Sequence, residues 1–142
     1  MIKQYVTTVC QILNINEPAV SFDTTSFSTE TTLAQCDPSG STIYLKNESP
    51  NPDFLFAIAH ELRHVWQIRT DKQLYLSDYK PVDLMPSVED YNLQLAEIDA
   101  NAFDAIIMTD FFRLQPQWQG QSAKVISAIN SRIKVILQTL NI

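Results

Sequence analysis

The chain has 142 residues, of which 45% are hydrophobic and 18% are charged, and its formal net charge at pH 7 is −6. This length and composition predict one globular domain spanning residues 1–142 and exclude a largely disordered chain. The negative charge argues against a nucleic-acid partner, because phosphate backbones are negative as well.

The apolar runs are far shorter than the roughly 20 residues that span a bilayer, so we expect no membrane association. The first ten residues are too polar for the core of a secretory signal, and we therefore predict a cytoplasmic protein. Cys10 and Cys36 lack the CxxC spacing of a metal or redox site, and we expect both to be free, buried thiols.

The first third of the chain predicts a helix followed by a small antiparallel sheet. Apolar residues at helical spacing predict a helix over residues 2–13. Alternation predicts a short strand over residues 20–23, and we place a second strand at residues 33–36. Residues 37–40 have the Asp-Pro-Ser-Gly sequence of a turn, and a strand that begins at Thr42 and ends at Lys46 completes a hairpin.

The remainder of the chain predicts three long helices. The first begins near residues 51–53, where a proline and capping residues stand, and continues to about residue 69. Residues 71–86 show no clear period and predict a long loop. A second helix is predicted from residue 87 or 88 to 112, and a last one over residues 122–140. We therefore predict an α+β domain with an N-terminal helix, in which the antiparallel sheet packs on the first long helix and two further ones.

The first long helix contains the sequence His60-Glu61-Leu62-Arg63-His64, which holds both histidines of the chain. Because His60 and His64 are four residues apart, they lie on one helix face and their imidazoles can bind one zinc ion. Glu61 lies about 100° around the helix from His60, beside the metal, where it can take a proton from a bound water. This HExxH motif predicts a catalytic zinc site with Glu61 as the general base.

Glu97, in the second long helix, is the predicted third ligand. Its neighbours are mostly apolar, and a buried carboxylate needs a partner that zinc can supply. Asn101 lies on the same face four residues later, and we predict that it hydrogen-bonds the free ring nitrogen of a ligating histidine. Asp99 is the fallback ligand if Glu97 points away, and Asp104 is a further alternative. Arg63 is expected to face solvent.

An HExxH motif followed on a later helix by Glu97-Ile98-Asp99-Ala100-Asn101-Ala102-Phe103 resembles the gluzincin clan of zinc metallopeptidases. The second segment is similar to the ExEANxF-type segment of the ImmA/IrrE metallopeptidases, and the size of the chain is similar to that of the minigluzincins. The resemblance covers residues 42–108 and implies a zincin-like fold, hydrolysis of peptide bonds, and a substrate that pairs with an edge strand before the motif helix. The strand from Thr42 to Lys46 occupies that place, so we expect a peptide or protein substrate there.

The chain departs from the family pattern at two positions: Asp99 stands where the pattern has Glu, and Arg63 where many members have Gly. Gluzincins also use a histidine or tyrosine to stabilise the oxyanion. Because the chain has no third histidine, Tyr75, Tyr79 and Tyr91 are the candidates. Two other interpretations stay open. The chain could be a metal-binding regulatory or interaction domain with weak or no catalysis, or a metal-free helical domain with a coincidental motif.

Overall fold

The structure, a computed structural model, describes residues 1–27, 29–46, 50–70, 79–116, 118 and 120–140. Its helices are α1 (Ile2–Leu13), α2 (Pro52–Thr70), α3 (Val88–Asn92), α4 (Leu95–Phe112) and α5 (Ala123–Leu140), with a 3-10 helix at Val82–Leu84. Its strands are β1 (Ala19–Ser21), β2 (Ala34–Cys36) and β3 (Thr42–Leu45). The predicted α+β class is confirmed.

Helix α2, which carries both histidines, lies at the centre of the fold. It starts near the predicted position: the side chain of Asn51 accepts the N–H of Phe54 at 3.0 Å, and Pro52 occupies the first helical position, where no N–H is needed. One stripe of α2 is wholly or almost wholly buried: Phe54, Ile58, Leu62 and Val65. The helix packs against α1, β2, β3 and α4, so side chains on several of its faces are held in place.

The sheet is mixed, which corrects the predicted antiparallel sheet. Strands β2 and β3 form the predicted antiparallel hairpin, but β1 pairs with β3 in parallel, with Val20 opposite Ile43. The strand order is β1-β3-β2, so β3 is the central strand. The prediction of an edge strand from Thr42 to Lys46 is therefore wrong. The backbone of β3 is paired on both sides and leaves no free edge for a substrate strand, whereas β2 is an edge strand that packs on α2.

The helix predicted from residue 87 or 88 to residue 112 is divided into α3 and α4. At Gln94 the backbone is extended, with φ −62° and ψ 141°. The Gln94 side chain accepts the N–H of Lys80 at 2.8 Å and donates to the Lys80 carbonyl at 2.9 Å. This contact joins residues 14 apart, which explains why helical periodicity alone did not predict the break. As a result, Glu97 lies in the first turn of a new helix.

The buried residues form a core to which α1, the sheet, α2, α4 and α5 all contribute. Helices α1 and α5 lie where they were predicted. Helix α1 contacts α2 through a hydrogen bond that the Tyr5 hydroxyl donates to the Leu55 carbonyl, at 2.8 Å. Cys10 and Cys36 are both buried thiols that form no disulfide with each other, as predicted. Of the predicted 71–86 loop, residues 71–78 lie outside the described residues. No helix in the described ranges has the length and apolar character that a membrane span needs.

Candidate metal centre

The three predicted metal ligands come together between α2 and α4. The rings of His60 and His64 lie on one face of α2, with centroids 4.8 Å apart. The Glu97 carboxylate reaches both rings: Oε1 lies 3.2 Å from His60 Nε2, and Oε2 lies 2.8 Å from His64 Nε2. His64 and Glu97 are buried, and His60 is half-buried. Both Nε2 atoms therefore converge on one carboxylate.

The chemistry of these donor atoms, and one of their two separations, suits a zinc ion. Two ligand atoms that each lie about 2.0–2.1 Å from zinc, at the tetrahedral angle, are roughly 3.3 Å apart. The distance from His60 Nε2 to Glu97 matches this value, and the 2.8 Å distance from His64 Nε2 is about half an ångström shorter. Two imidazole nitrogens and a glutamate oxygen are also a donor set found in catalytic zinc sites. The residues present therefore fit zinc.

The other ring nitrogens have partners that differ from the predicted one. His60 Nδ1 lies 3.0 Å from Asp104 Oδ2, and His64 Nδ1 lies 2.8 Å from Gln67 Oε1. The prediction that Asn101 orients a ligand is therefore wrong, because both Nδ1 atoms are already bound elsewhere. Asp104 lies seven residues after Glu97, two turns along the same face of α4, which brings it level with His60.

The carboxylates shift the pKa values of the histidines. Burial opposes the charged form of His60, but Glu97 and Asp104 outweigh it and raise the pKa of His60 well above its usual value. His64 behaves similarly: burial opposes its charge, and Glu97 raises its pKa. Burial also favours neutral Glu97, yet His64 and His60 lower its pKa below the usual range. Glu97 is therefore a stable anion, as a ligand has to be.

Asp104 is fully buried, and its environment differs from that of Glu97. Burial raises the pKa of Asp104 to about 8, although the neighbouring His60 acts in the opposite direction. Its Oδ1 atom has no hydrogen-bond partner among the described residues. Among the described residues Asp104 makes its side-chain polar contact through Oδ2 to His60 Nδ1, so the Nε2 atom of that ring is the one directed at Glu97.

Glu61 lies beside His60 and His64, and its contacts differ from those of Glu97. Ligand atoms of His60, Glu61 and His64 lie within 4.8 Å of one another, so Glu61 could in principle replace Glu97. However, Glu61 Oε2 is 3.9 Å from His64 Nε2, whereas Glu97 contacts both Nε2 atoms. Glu61 Oε1 instead accepts the backbone N–H of Cys36 in β2 at 3.0 Å. Burial raises the pKa of Glu61, although both histidines act against this.

Asp99 is not a metal ligand, and Arg63 does not face solvent. Arg63 is buried and donates from Nε to Asp99 Oδ2 at 2.7 Å, with its guanidinium carbon 3.7 Å from the centre of the Trp66 ring. Asp99 also accepts hydrogen bonds from Gln67 and Arg132. Its carboxylate is therefore fully engaged by cationic and amide donors, and the role of fallback ligand is excluded by these contacts.

Two of the three candidate tyrosines, Tyr79 and Tyr91, have a hydroxyl that hydrogen-bonds Glu97. The Tyr79 OH donates to Glu97 Oε2 at 3.1 Å, and its ring centroid lies 6.0 Å from that of His64. The Tyr91 hydroxyl lies 2.8 Å from the Tyr79 hydroxyl. Tyr75 lies outside the described residues.

Two residues near the centre were missed by the sequence analysis, Gln67 and Arg132. Gln67 is three residues after His64, one turn further along the same face of α2, and this spacing could have marked it as a partner. Arg132 belongs to α5 and meets Asp99 only through the tertiary fold, so no local pattern predicts it.

Comparison of the chain with protein-family models, with curated proteins and with solved structures finds no match. The chemistry of the site therefore has to be inferred from its own residues.

Proposed function

We propose that the chain is a zinc-dependent peptidase of the gluzincin type, with His60, His64 and Glu97 as ligands and Glu61 as the general base. The observation that carries this proposal is the convergence of two Nε2 atoms on the Glu97 carboxylate. Three protein ligands leave one tetrahedral position open, which distinguishes catalytic from structural zinc sites. Zinc bound there would lower the pKa of a water molecule and polarise the scissile carbonyl.

Glu61 has the position and the environment of a proton acceptor. It is close to His64 without contacting it, and its raised pKa brings it nearer to neutral pH, where a general base works best. In the proposed reaction Glu61 takes a proton from the attacking water, whose oxygen bonds to the carbonyl carbon. It then delivers that proton to the amide nitrogen as the carbon–nitrogen bond breaks.

We propose that a peptide or protein substrate pairs with β2 instead of the strand from Thr42 to Lys46. Leu33 and Asp37 hydrogen-bond to β3, so by strand alternation the backbone groups of Ala34 and Cys36 point away from it. The N–H of Cys36 donates to Glu61, so this outer edge of the sheet lies beside the general base and a substrate strand would pair with the groups next to Cys36. Strand addition to such an edge is a common way to bind extended peptides.

Two conservative variants test the proposed function. Glu97→Gln is expected to lose zinc, measured by elemental mass spectrometry of purified protein, because it removes the ligand charge. Glu61→Gln is expected to keep about one zinc per chain and to lose cleavage by a factor on the order of 10² or more. Cleavage is measured by mass spectrometry of a peptide library made by digesting a whole-cell lysate.

The outcomes separate this proposal from its alternatives. Stoichiometric zinc in wild type with no cleavage by wild type would instead indicate a metal-binding regulatory domain. The absence of zinc from wild type, even after reconstitution, would leave a metal-free domain with a coincidental motif.

A further inference from the structure

Gln94 joins the segment that contains Tyr79 to the start of α4. Its side chain pairs with both backbone polar groups of Lys80: Oε1 accepts the Lys80 N–H at 2.8 Å, and Nε2 donates to the Lys80 carbonyl at 2.9 Å. Nε2 also donates to the Tyr91 carbonyl at 3.2 Å. An amide turned by 180° would place its oxygen against two carbonyls, so these contacts fix the orientation of the Gln94 amide. The side chain thus pairs with Lys80 as a neighbouring strand would.

Gln94 occupies the N-cap position of α4 without capping the helix. Its backbone is extended, as at other N-caps, but its side chain makes no hydrogen bond to the first turn. N-cap positions favour short side chains, such as Asn or Ser, that accept an N–H of that turn. Gln94 instead reaches Lys80, 14 residues away in the chain. Departures from a local preference are expected at functional sites, so this one suggests a role for the contact beyond helix stability.

The pairing with Lys80 places the preceding residue at the metal centre. Tyr79 lies outside the helices and strands, whereas Tyr91 belongs to α3. The Tyr79 hydroxyl lies 2.8 Å from that of Tyr91 and donates to Glu97 Oε2 at 3.1 Å. Gln94 and Glu97 lie three residues apart at the start of α4. Two adjacent residues of the segment therefore contact two side chains at one end of the same helix.

We propose that Gln94 is a positioning residue of the metal centre: by pairing with the Lys80 main chain, it keeps the Tyr79 hydroxyl at the ligand carboxylate. The catalytic consequence rests on the proposed function, in which this hydroxyl is a candidate donor to the oxyanion of the substrate. The position of the Tyr79 ring does not depend on catalysis and can be tested separately.

The position of Tyr79 can be measured by nuclear Overhauser effects between its ring protons and those of His64. The two ring centroids lie 6.0 Å apart with the ring planes at 63°, so wild type is expected to give this signal. Gln94→Met removes the amide and is expected to weaken the signal strongly. The matched control is Gln121→Met, which removes an amide that accepts a hydrogen bond from Asn92 in α3, and it is expected to keep the signal.

Gln94→Asn separates a positioning role from a purely structural one. Asn is too short to pair with Lys80 but is among the best N-cap residues, so the melting temperature is expected to equal or exceed that of wild type. The Overhauser signal should nevertheless weaken. In steady-state kinetics, kcat for peptide cleavage should fall by a factor on the order of 10, with KM little changed, because the oxyanion forms only after attack. A structural role predicts the opposite result, a lower melting temperature with unchanged kcat.

A double variant tests whether Gln94 acts through the Tyr79 hydroxyl. Tyr79→Phe already lacks that hydroxyl, so the addition of Gln94→Asn is expected to lower kcat no further. Additive losses of kcat would overturn the positioning role. So would an Overhauser signal that is absent from wild type or unchanged in Gln94→Asn.

Failure of this proposal and failure of the proposed function give different results. If wild type neither binds zinc nor cleaves peptides, the proposed function fails, and the Overhauser signals alone still decide whether Gln94 positions Tyr79. If wild type cleaves peptides and Gln94→Asn cleaves them equally fast, only the positioning role fails. If Gln94→Asn does not fold, the Overhauser and kinetic measurements are made on Gln94→Met, with the same losses expected.

Discussion

Two glutamates of the metal centre lie close to the same histidine but differ in their proton affinity. Both histidines contact Glu97 and lower its pKa, whereas burial dominates at Glu61 and raises its pKa. Carboxylates whose environments push their pKa values apart can take different chemical roles in one site. Here the low pKa suits a permanently charged ligand, and the raised pKa suits a group that accepts and releases a proton.

Under the proposed function, Tyr79 is a candidate for stabilising negative charge on the substrate, because its hydroxyl is 3.1 Å from Glu97 Oε2. We expect Tyr79→Phe to keep its zinc, since the three ligands remain, but to lose peptide cleavage by a factor on the order of 10². KM is expected to change little, because the developing oxyanion exists only after attack. Steady-state kinetics on a peptide cleaved by wild type, together with zinc analysis, measures both effects.

Tyr91→Phe is the comparison for this variant, because it removes a hydroxyl that also hydrogen-bonds both Tyr79 and Glu97 but leaves the Tyr79 hydroxyl in place. A loss of kcat in Tyr91→Phe as large as in Tyr79→Phe would indicate that the tyrosine pair supports the structure and does not act on the substrate.

The β2–β3 turn is held to the C-terminal part of α2 at Gly40. Gly40 has φ +72°, and an added Cβ would lie 3.0 Å from Ile68 Cγ2. Gly40→Ala is therefore expected to lower the free energy of unfolding through two effects, left-handed strain of about 1–2 kcal/mol and displacement of Ile68. Chemical denaturation of purified protein measures the total.

Gly120→Ala isolates the first effect, because Gly120 has φ +76° and no atom of the described residues lies within 4 Å of its added Cβ. Gly40→Ala should therefore be the more destabilising of the two. Equal decreases in the free energy of unfolding in the two variants would show that the contact between the turn and Ile68 does not contribute to stability.

The elements that sequence analysis predicted well are those determined by nearby residues. The boundaries of α1, the hairpin turn and the spacing of His60 and His64 all follow from residues within a few positions of one another. The parallel pairing of β1 joins it to residues of β3 that lie 23 positions later in the chain. The break at Gln94 depends in the same way on a distant residue, Lys80. Local periodicity contains no information on either contact, so the mixed sheet and the divided helix were not predicted.

The same distinction applies to the metal centre. The HExxH spacing brings His60, Glu61 and His64 together locally, and Glu97 was predicted as a ligand because a carboxylate among apolar neighbours needs a partner. The partner of the His60 Nδ1 atom could not be chosen reliably from sequence, because Asn101, Asp104 and Glu97 all lie near one face of α4. The antiparallel register of α2 against α4 decides which of them meets His60.

Across the whole molecule, the candidate ligands belong to two helices that pack against each other at the centre of the fold. His60 and His64 come from α2, and Glu97 comes from α4. An ion bound by all three side chains would link these helices and would bind the folded chain in preference to the unfolded one. Zinc binding and global stability should therefore be thermodynamically coupled.

Zinc is accordingly expected to raise the melting temperature of wild type. At a free zinc concentration about 1,000 times Kd, the gain is about 4 kcal/mol, which corresponds to a shift on the order of 10 °C for a chain of this size. Differential scanning calorimetry with zinc and with excess chelator measures the shift. Glu97→Gln is expected to lose it, whereas Glu89→Gln, which makes the same change in net charge at an exposed position of α3, should retain it. An equal shift in Glu97→Gln would mean that Glu97 is not a ligand, because zinc would then bind as well without its charge.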